Sequence, residues 1–169
     1  GIAIDKDIKL LFSISTTTTC KHSINKPYTT PVRFLENSLI SGVVVFSQTQ
    51  SIIVTNIVKD FVDGFLVDVE QKHNMKATIN SDTLKYFQDK YFINGDVKYE
   101  SILSIVRAIV ADDRIIEYKA NDITVDAIWT FLSTKLNYLS GKKIAIIGCG
   151  NIGSKLALEL VESDVNVVL

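Results

Sequence analysis

Apolar residues fall along the chain in two alternating rhythms. Short runs, nearly continuous in Val, Ile, Leu and Phe, occupy residues 9–15, 42–46, 64–70, 114–118, 143–147 and 165–169. Such runs predict strands covered on both faces. Between them the apolar positions recur at helical spacing. Ile52, Ile53, Ile57 and Phe61 mark one face of a helix over 51–61, and Ile102, Ile105, Val106, Ile109 and Val110 mark another over 100–111. Ala127, Ile128, Phe131, Leu132 and Leu136 predict a helix over 125–138, and Ile152, Leu156, Leu160 and Val161 a last one.

Strand and helix in alternation predict an α/β fold with a mainly parallel sheet. Residues 16–30, rich in Thr and Ser and containing Pro27, read as a loop over the end of the first strand, and the Asn-rich stretch 73–82 as a second loop. The sequence Leu139-Ser140-Gly141-Lys142-Lys143 ends a helix and enters a strand directly. It predicts a junction near Gly141. Residues 1–140 then form a substrate-side α/β domain with 125–138 as its connector helix, and 141–169 begin a second domain.

Composition narrows the field. The chain has 169 residues, 47% of them hydrophobic and 22% charged, with a formal net charge of −1. That is enough chain for one core or two small lobes, and too apolar for disorder. No basic surplus exists to release counterions from a phosphate backbone, so no nucleic-acid partner is expected. No apolar run approaches the ~20 residues of a membrane span, so no membrane partner is expected either. Cys20 and Cys149 make no disulfide framework and, like His22 and His73, have no metal-ligand spacing, so no metal is expected. With no signal-like segment after Gly1, a cytoplasmic location is the simplest expectation.

The chemistry-bearing segment is Lys143-Ile-Ala-Ile-Ile-Gly148-Cys149-Gly150-Asn151-Ile152-Gly153. A predicted strand runs into G-x-G-x-x-G and a helix follows at once, the context in which this pattern means dinucleotide binding. Gly148 permits the tight turn, Gly150 lets a pyrophosphate approach the backbone, and Gly153 allows close packing of helix on strand. Free N–H groups and partial positive charge at the helix start would meet the phosphates. Residues 148–153 are therefore the candidate cofactor site, for NAD or NADP. The acidic residue that reads the ribose is due ~20 residues after the first glycine, a count that arrives at Val168 and Leu169. The expectation is a Rossmann βαβ opening cut short, with 165–169 as an apolar edge strand that would allow a homodimer.

Residues 139–169 resemble the NAD(P)-binding domains of two-domain dehydrogenases. A helix running into the Rossmann strand after a short Ser-Gly-Lys turn looks like shikimate dehydrogenases and methylenetetrahydrofolate dehydrogenases. In the shikimate type an Asn-Thr-Asp-Gly motif opens the connector helix. Ile123-Thr124-Val125-Asp126 stands at the matching stretch, where Asp126 alone transfers. The Asp-Val-Asp-Gly-Phe stretch of the folate type is echoed by Asp60-Phe61-Val62-Asp63-Gly64-Phe65, without that family's tyrosine–lysine pattern. The resemblance implies NAD or NADP as cofactor and hydride transfer as the reaction.

Ligands of open parallel sheets sit beyond the carboxyl ends of the strands. The polar tips there are Ser13 and Ser15, followed by Thr16–Thr19; Ser47, Gln48 and Gln50; Asp68, Glu70, Gln71 and Lys72; and Lys119, Asn121 and Asp122. Lys119 and Asp126 are the candidate catalytic pair, a lysine and a carboxylate able to move the proton that accompanies hydride transfer. Asp126 in a helix first turn would also complement the dipole, with Thr124 or Asn121 as cap. Cys149 reads as a packing residue and Trp129 as a domain-interface anchor. The reading is an oxidoreductase transferring hydride between NAD(P) and a small polar substrate in a cleft between lobes. The alternative is a non-catalytic dinucleotide-sensing or assembly module built on the same glycine turn.

Overall fold

A computed structural model of the chain describes residues 8–16, 26–70, 92–93, 96–97 and 101–169. The loop expected at 73–82, with residues 17–19, Cys20, His22, Gln71, Lys72 and His73, lies outside the described residues. The chain divides into two compact units, Gly1–Tyr118 and Lys119–Leu169. The helix expected to connect two domains across Gly141 thus belongs with the glycine segment. Among the described residues no helix is long and apolar enough to cross a membrane.

The first unit carries β1 (Lys9–Ser15), β2 (Tyr28–Leu35), β3 (Ser38–Val44), α1 (Gln48–Val58), β4 (Gly64–Asp68), the short antiparallel pair β5 (Phe92–Ile93) and β6 (Asp96–Val97), α2 (Ile102–Ile109) and β7 (Ile115–Tyr118). Five strands form one sheet in the order β2-β3-β1-β4-β7. β3, β1, β4 and β7 run parallel, with Ser15 opposite Val44 and Ile14 opposite Val67, and β2 is antiparallel to β3. This is the α/β architecture with a mainly parallel sheet that alternating strands and helices predict.

Among the described residues one core cluster lies on a single side of that sheet. Ile14, Val43, Val45, Phe65 and Val67 pack against Ile102 and Val106 of α2 and Val54 and Val58 of α1. The Phe65 ring is fully buried and meets Phe12 edge-on, with centroids 6.2 Å apart. Burying a ring of this size stabilises the fold by roughly 1.5–3 kcal/mol. Arg114 locks the entry to β4: its guanidinium donates to the carbonyls of Lys59, Val62 and Asp63, while the Asp63 carboxylate accepts from the Leu10 amide at 2.6 Å.

Several boundaries differ from expectation for physical reasons. Residues 28–30, read as loop, begin β2. Pro31 sits there because β2 is an edge strand whose register shifts between Thr30 and Arg33, and an edge or a bulge tolerates the missing N–H. β3 starts at Ser38 and ends at Val44, earlier than the apolar run suggests, because pairing with β2 and β1 overrides its polar first half. α1 starts at Gln48 rather than 51, since Ser47 accepts from the Gln50 amide and caps the helix.

The second unit holds α3 (Ala120–Leu136), β8 (Lys143–Ala145), α4 (Asn151–Glu162) and β9 (Asn166–Val168), with β8 and β9 parallel. α3 begins five residues before the expected start, because Asp122 sits well in a first turn. It ends at Asn137, which takes the left-handed conformation. Asp122 meets Lys155, and the Trp129 indole N–H donates to Ser163 Oγ at 3.3 Å. Advancing seven residues on α3 thus advances eight on α4, so the two helices run side by side in the same direction. Val125, Leu139, Leu156, Leu160 and Val165 form the core between helices and sheet. Trp129 packs there, inside the second unit.

Cover on both faces, expected for 143–147 and 165–169, is not what forms. Ile144, Ile146 and Val167 turn toward the helices, whereas Ala145, Ile147 and Val168 are exposed. Within this unit both described helices pack on the same side of the two strands.

Candidate functional site

The glycine turn joins β8 to α4, and its three glycines stand there for three different reasons. Gly148 has φ +100°, a backbone conformation closed to most side chains. Gly153 is buried, and a Cβ there would collide with the Gly148 carbonyl oxygen, so the helix start lies directly on the turn. Gly150 has an ordinary φ of −78°, and a Cβ built on it would meet nothing within 4 Å. Neither backbone strain nor packing accounts for glycine at 150. It faces open space.

Gly150 is the N-cap of α4, and no side chain caps the helix. Orphan N–H groups of a first helical turn therefore face outward beside the turn. Ile147, Gly148, Cys149, Gly150 and Asn151 are exposed, and Ile152 is half-buried against the core. Cys149 is thus not a packing residue. Its exposed Sγ lies 3.4 Å from Ser154 Oγ, and that hydroxyl is 3.3 Å from the Cys149 carbonyl. The turn as a whole could hold a pyrophosphate against backbone amides without moving any side chain of the core.

The expected pairing of Lys119 with Asp126 is not formed. Lys119 is the N-cap of α3, and its Nζ lies 4.0 Å from Asp122 Oδ2. Seven residues further along, Asp126 is displaced by about 10 Å of helical rise and is exposed. Asp126 is not in the first turn, and Thr124 does not cap it: the Thr124 hydroxyl donates to the Ala120 carbonyl at 2.9 Å.

Asp122 and Lys155 take the place expected for Asp126. The hydrogen bond from Lys155 holds the Asp122 carboxyl below the usual carboxylate range, against a smaller effect of lost hydration, and the charges of Lys155 and Lys119 add to it. An ionised Asp122 has no proton to give near neutral pH. Lys119, more than half exposed and 4.0 Å from the carboxylate, is the less constrained of the two cations. The sequence signal for this trio was the spacing 122–155, legible only once α3 and α4 are known to run in the same direction.

In the first unit the polar strand tips are brought together only in part. Ser13 Oγ and the Tyr118 hydroxyl share a hydrogen bond of 3.0 Å. Asp68 is buried and accepts from the Glu70 amide at 3.1 Å. Ser47 caps α1, and Gln50 Oε1 in return accepts from the Phe46 amide at 2.7 Å. Tyr118 escaped sequence reasoning because a tyrosine ending an apolar strand looks like core. Among the described residues no group of three or more His, Cys, Asp or Glu is arranged to hold a metal ion.

Comparison with models of known families, with curated proteins and with solved structures gives no match.

Proposed function

We propose that the chain binds NAD or NADP through residues 148–153 and serves as an oxidoreductase acting on a small polar substrate. The observation that carries this reading is Gly150, a glycine that neither backbone strain nor packing calls for, standing in open space at the uncapped start of α4. Glycine is acceptable at an N-cap in its own right, and its missing side chain also leaves the backbone open to a pyrophosphate approaching from outside. A nicotinamide dinucleotide, when bound, would supply the hydride acceptor or donor. The backbone amides at the start of α4 would hold its pyrophosphate, and Gly148 and Gly153 would keep that turn in shape. Lys119, at the start of the parallel helix α3, is the residue we assign to proton movement, with Asp122 and Lys155 fixing its surroundings.

A non-catalytic dinucleotide sensor is the second reading, favoured by the separation of Lys119 from Asp126. Titration of NADH and NADPH, followed by nicotinamide fluorescence, tests both. The expected result is saturable binding with preference for one, lost in Gly150→Val while the chain stays folded with only a small fall in melting temperature from the poorer N-cap. Absence of binding in the unaltered chain overturns the proposal. Binding without turnover across a panel of hydroxy and keto acids selects the sensor.

A further inference from the structure

Two lysines share one carboxylate in the second unit. Lys155 Nζ donates to Asp122 Oδ1, and Lys119 Nζ lies 4.0 Å from Asp122 Oδ2. The side chains of Lys155, Lys119 and Asp122 are 35%, 59% and 43% exposed. Ion pairs open to water to this extent add little net stability, because solvent competes for both partners. The same exposure lets either contact be exchanged for another without unpacking the core.

Position gives the trio a different meaning. Asp122 is the third residue of α3 and Lys155 the fifth of α4, and the two helices run in the same direction. Both helix starts therefore lie at one end of the unit, and no side chain caps either. The acids of residues 119–169 are Asp122, Asp126, Glu159, Glu162 and Asp164, and Asp122 alone stands in a first helical turn. One carboxylate thus meets two ammonium groups and the positive ends of two helices. This end is net positive in a chain whose formal net charge is −1.

Helix geometry brings Lys155 within reach of the glycine turn. Side chains of a helix lean toward its N-terminus. Lys155 stands four residues beyond Asn151, the first residue of α4, a rise of about 6 Å. A lysine side chain spans that rise, so its ammonium is level with the orphan N–H groups beside Gly150. Asp122 holds the ammonium on the flank toward α3. Released from that carboxylate, the flexible lysine stem can swing across the helix start.

We propose that Asp122 and Lys155 form an exchangeable ion pair which the pyrophosphate of the dinucleotide opens: Lys155 leaves the carboxylate for a phosphate oxygen, and Asp122 closes on Lys119. The inference rests on the reading of residues 148–153 as the dinucleotide site. Lys155 is then the cation of that site, and Asp122 is an internal counter-charge that competes with the phosphate for it. The exchange leaves no charge unpaired in either state. It also carries the arrival of the cofactor from α4 to Lys119 at the start of α3.

The test is titration of the full chain and of two variants with NADH and NADPH, followed by nicotinamide fluorescence at one ionic strength, since salt screens such pairs. Lys155→Met should weaken binding by about tenfold or more, the effect of one lost contact to a charged group. Asp122→Asn, which frees Lys155, should tighten it severalfold. A merely structural clasp between α3 and α4 predicts the reverse for Asp122→Asn, with both variants weakened alike. Binding by the unaltered chain with both variants weakened, or with neither changed, overturns the exchange and leaves the dinucleotide site standing. No binding by the unaltered chain overturns the dinucleotide reading and the exchange with it. If a variant fails to fold, the Asp122 carboxyl carbon resonance of the unaltered chain decides: a shift that saturates with the nucleotide supports the exchange, and an unchanged resonance refutes it.

Discussion

The two units use the same local code of strand, helix and strand, yet they differ in how much cover the strands receive. In the first, Ile14, Phe65 and Val67 are wholly enclosed, and enclosure extends to three hydroxyls with no partner. Apolar exposure on the sheet is found at its edges, as Val32, Phe34 and Leu35 on β2 and Ile116 on β7. In the second, exposure reaches a sheet face at the paired Ala145 and Val168, Ile147 just beyond β8 stands fully in water, and Leu158 and Val161 line the outer side of α4. An apolar run therefore specifies that a strand forms. It does not specify that both its faces are covered, because that depends on elements elsewhere in the chain.

Substitutions can break or sharpen this contrast. The largest effect belongs to Phe65→Ala, which opens a cavity in the enclosed core and should cost about 3–5 kcal/mol in denaturant unfolding. A loss under 1 kcal/mol would mean that the first unit is not closely packed. Next comes Gly153→Ala, where the added methyl meets the Gly148 carbonyl. We expect a loss of roughly 1–3 kcal/mol, whereas Gly150→Ala, which meets no neighbour and loses only a favourable N-cap residue, should cost under about 1 kcal/mol. Equal effects of the two alanines would remove the distinction between a packing glycine and an approach glycine. Ile147→Ser should change stability by no more than about 0.5 kcal/mol and raise solubility. A substantial loss would show that this face is covered in solution.

The smallest effect is electrostatic. Asp122 titrates lower in the folded chain than in the unfolded one, so its stabilisation is complete above the ordinary carboxylate range, near pH 4. It is lost as pH falls through the folded value. The stability of Asp122→Asn and of the unaltered chain should therefore converge in acid, as read by melting temperature across pH 2–7. Parallel curves would mean that Lys155 and Lys119 do not perturb this carboxyl.

Much of the architecture was legible because it rests on local signals. The β-branched run at Lys9–Ser15 forms β1 with both boundaries as expected, and the glycine spacing falls between a strand and a helix as its chemistry requires. What escaped was decided by tertiary neighbours. β2 contains a proline and is stabilised by one partner strand, so nothing in Tyr28–Leu35 alone distinguishes it from loop. Thr16 reads as loop and Ser51 as the start of a helix, and nothing local in either marks the burial that the fold gives them. Lys119 and Asp126 look like a pair because the first reads as a strand tip and the second as a first-turn residue of the next helix, but that helix starts at Ala120 and puts two full turns of rise between them.

The central position of β1 bears on how the first unit is made. This strand leaves the ribosome before both of its neighbours, yet it pairs with β3 on one edge and β4 on the other. The first pairing can close once Ser38–Val44 has emerged. The second waits for Gly64–Asp68, so one edge of the strand is open for the time needed to translate α1. A hydrophobic ribbon with a free edge invites association between nascent chains. Synthesis rate through residues 45–68 should accordingly govern the yield of folded protein more than the rate through the second unit.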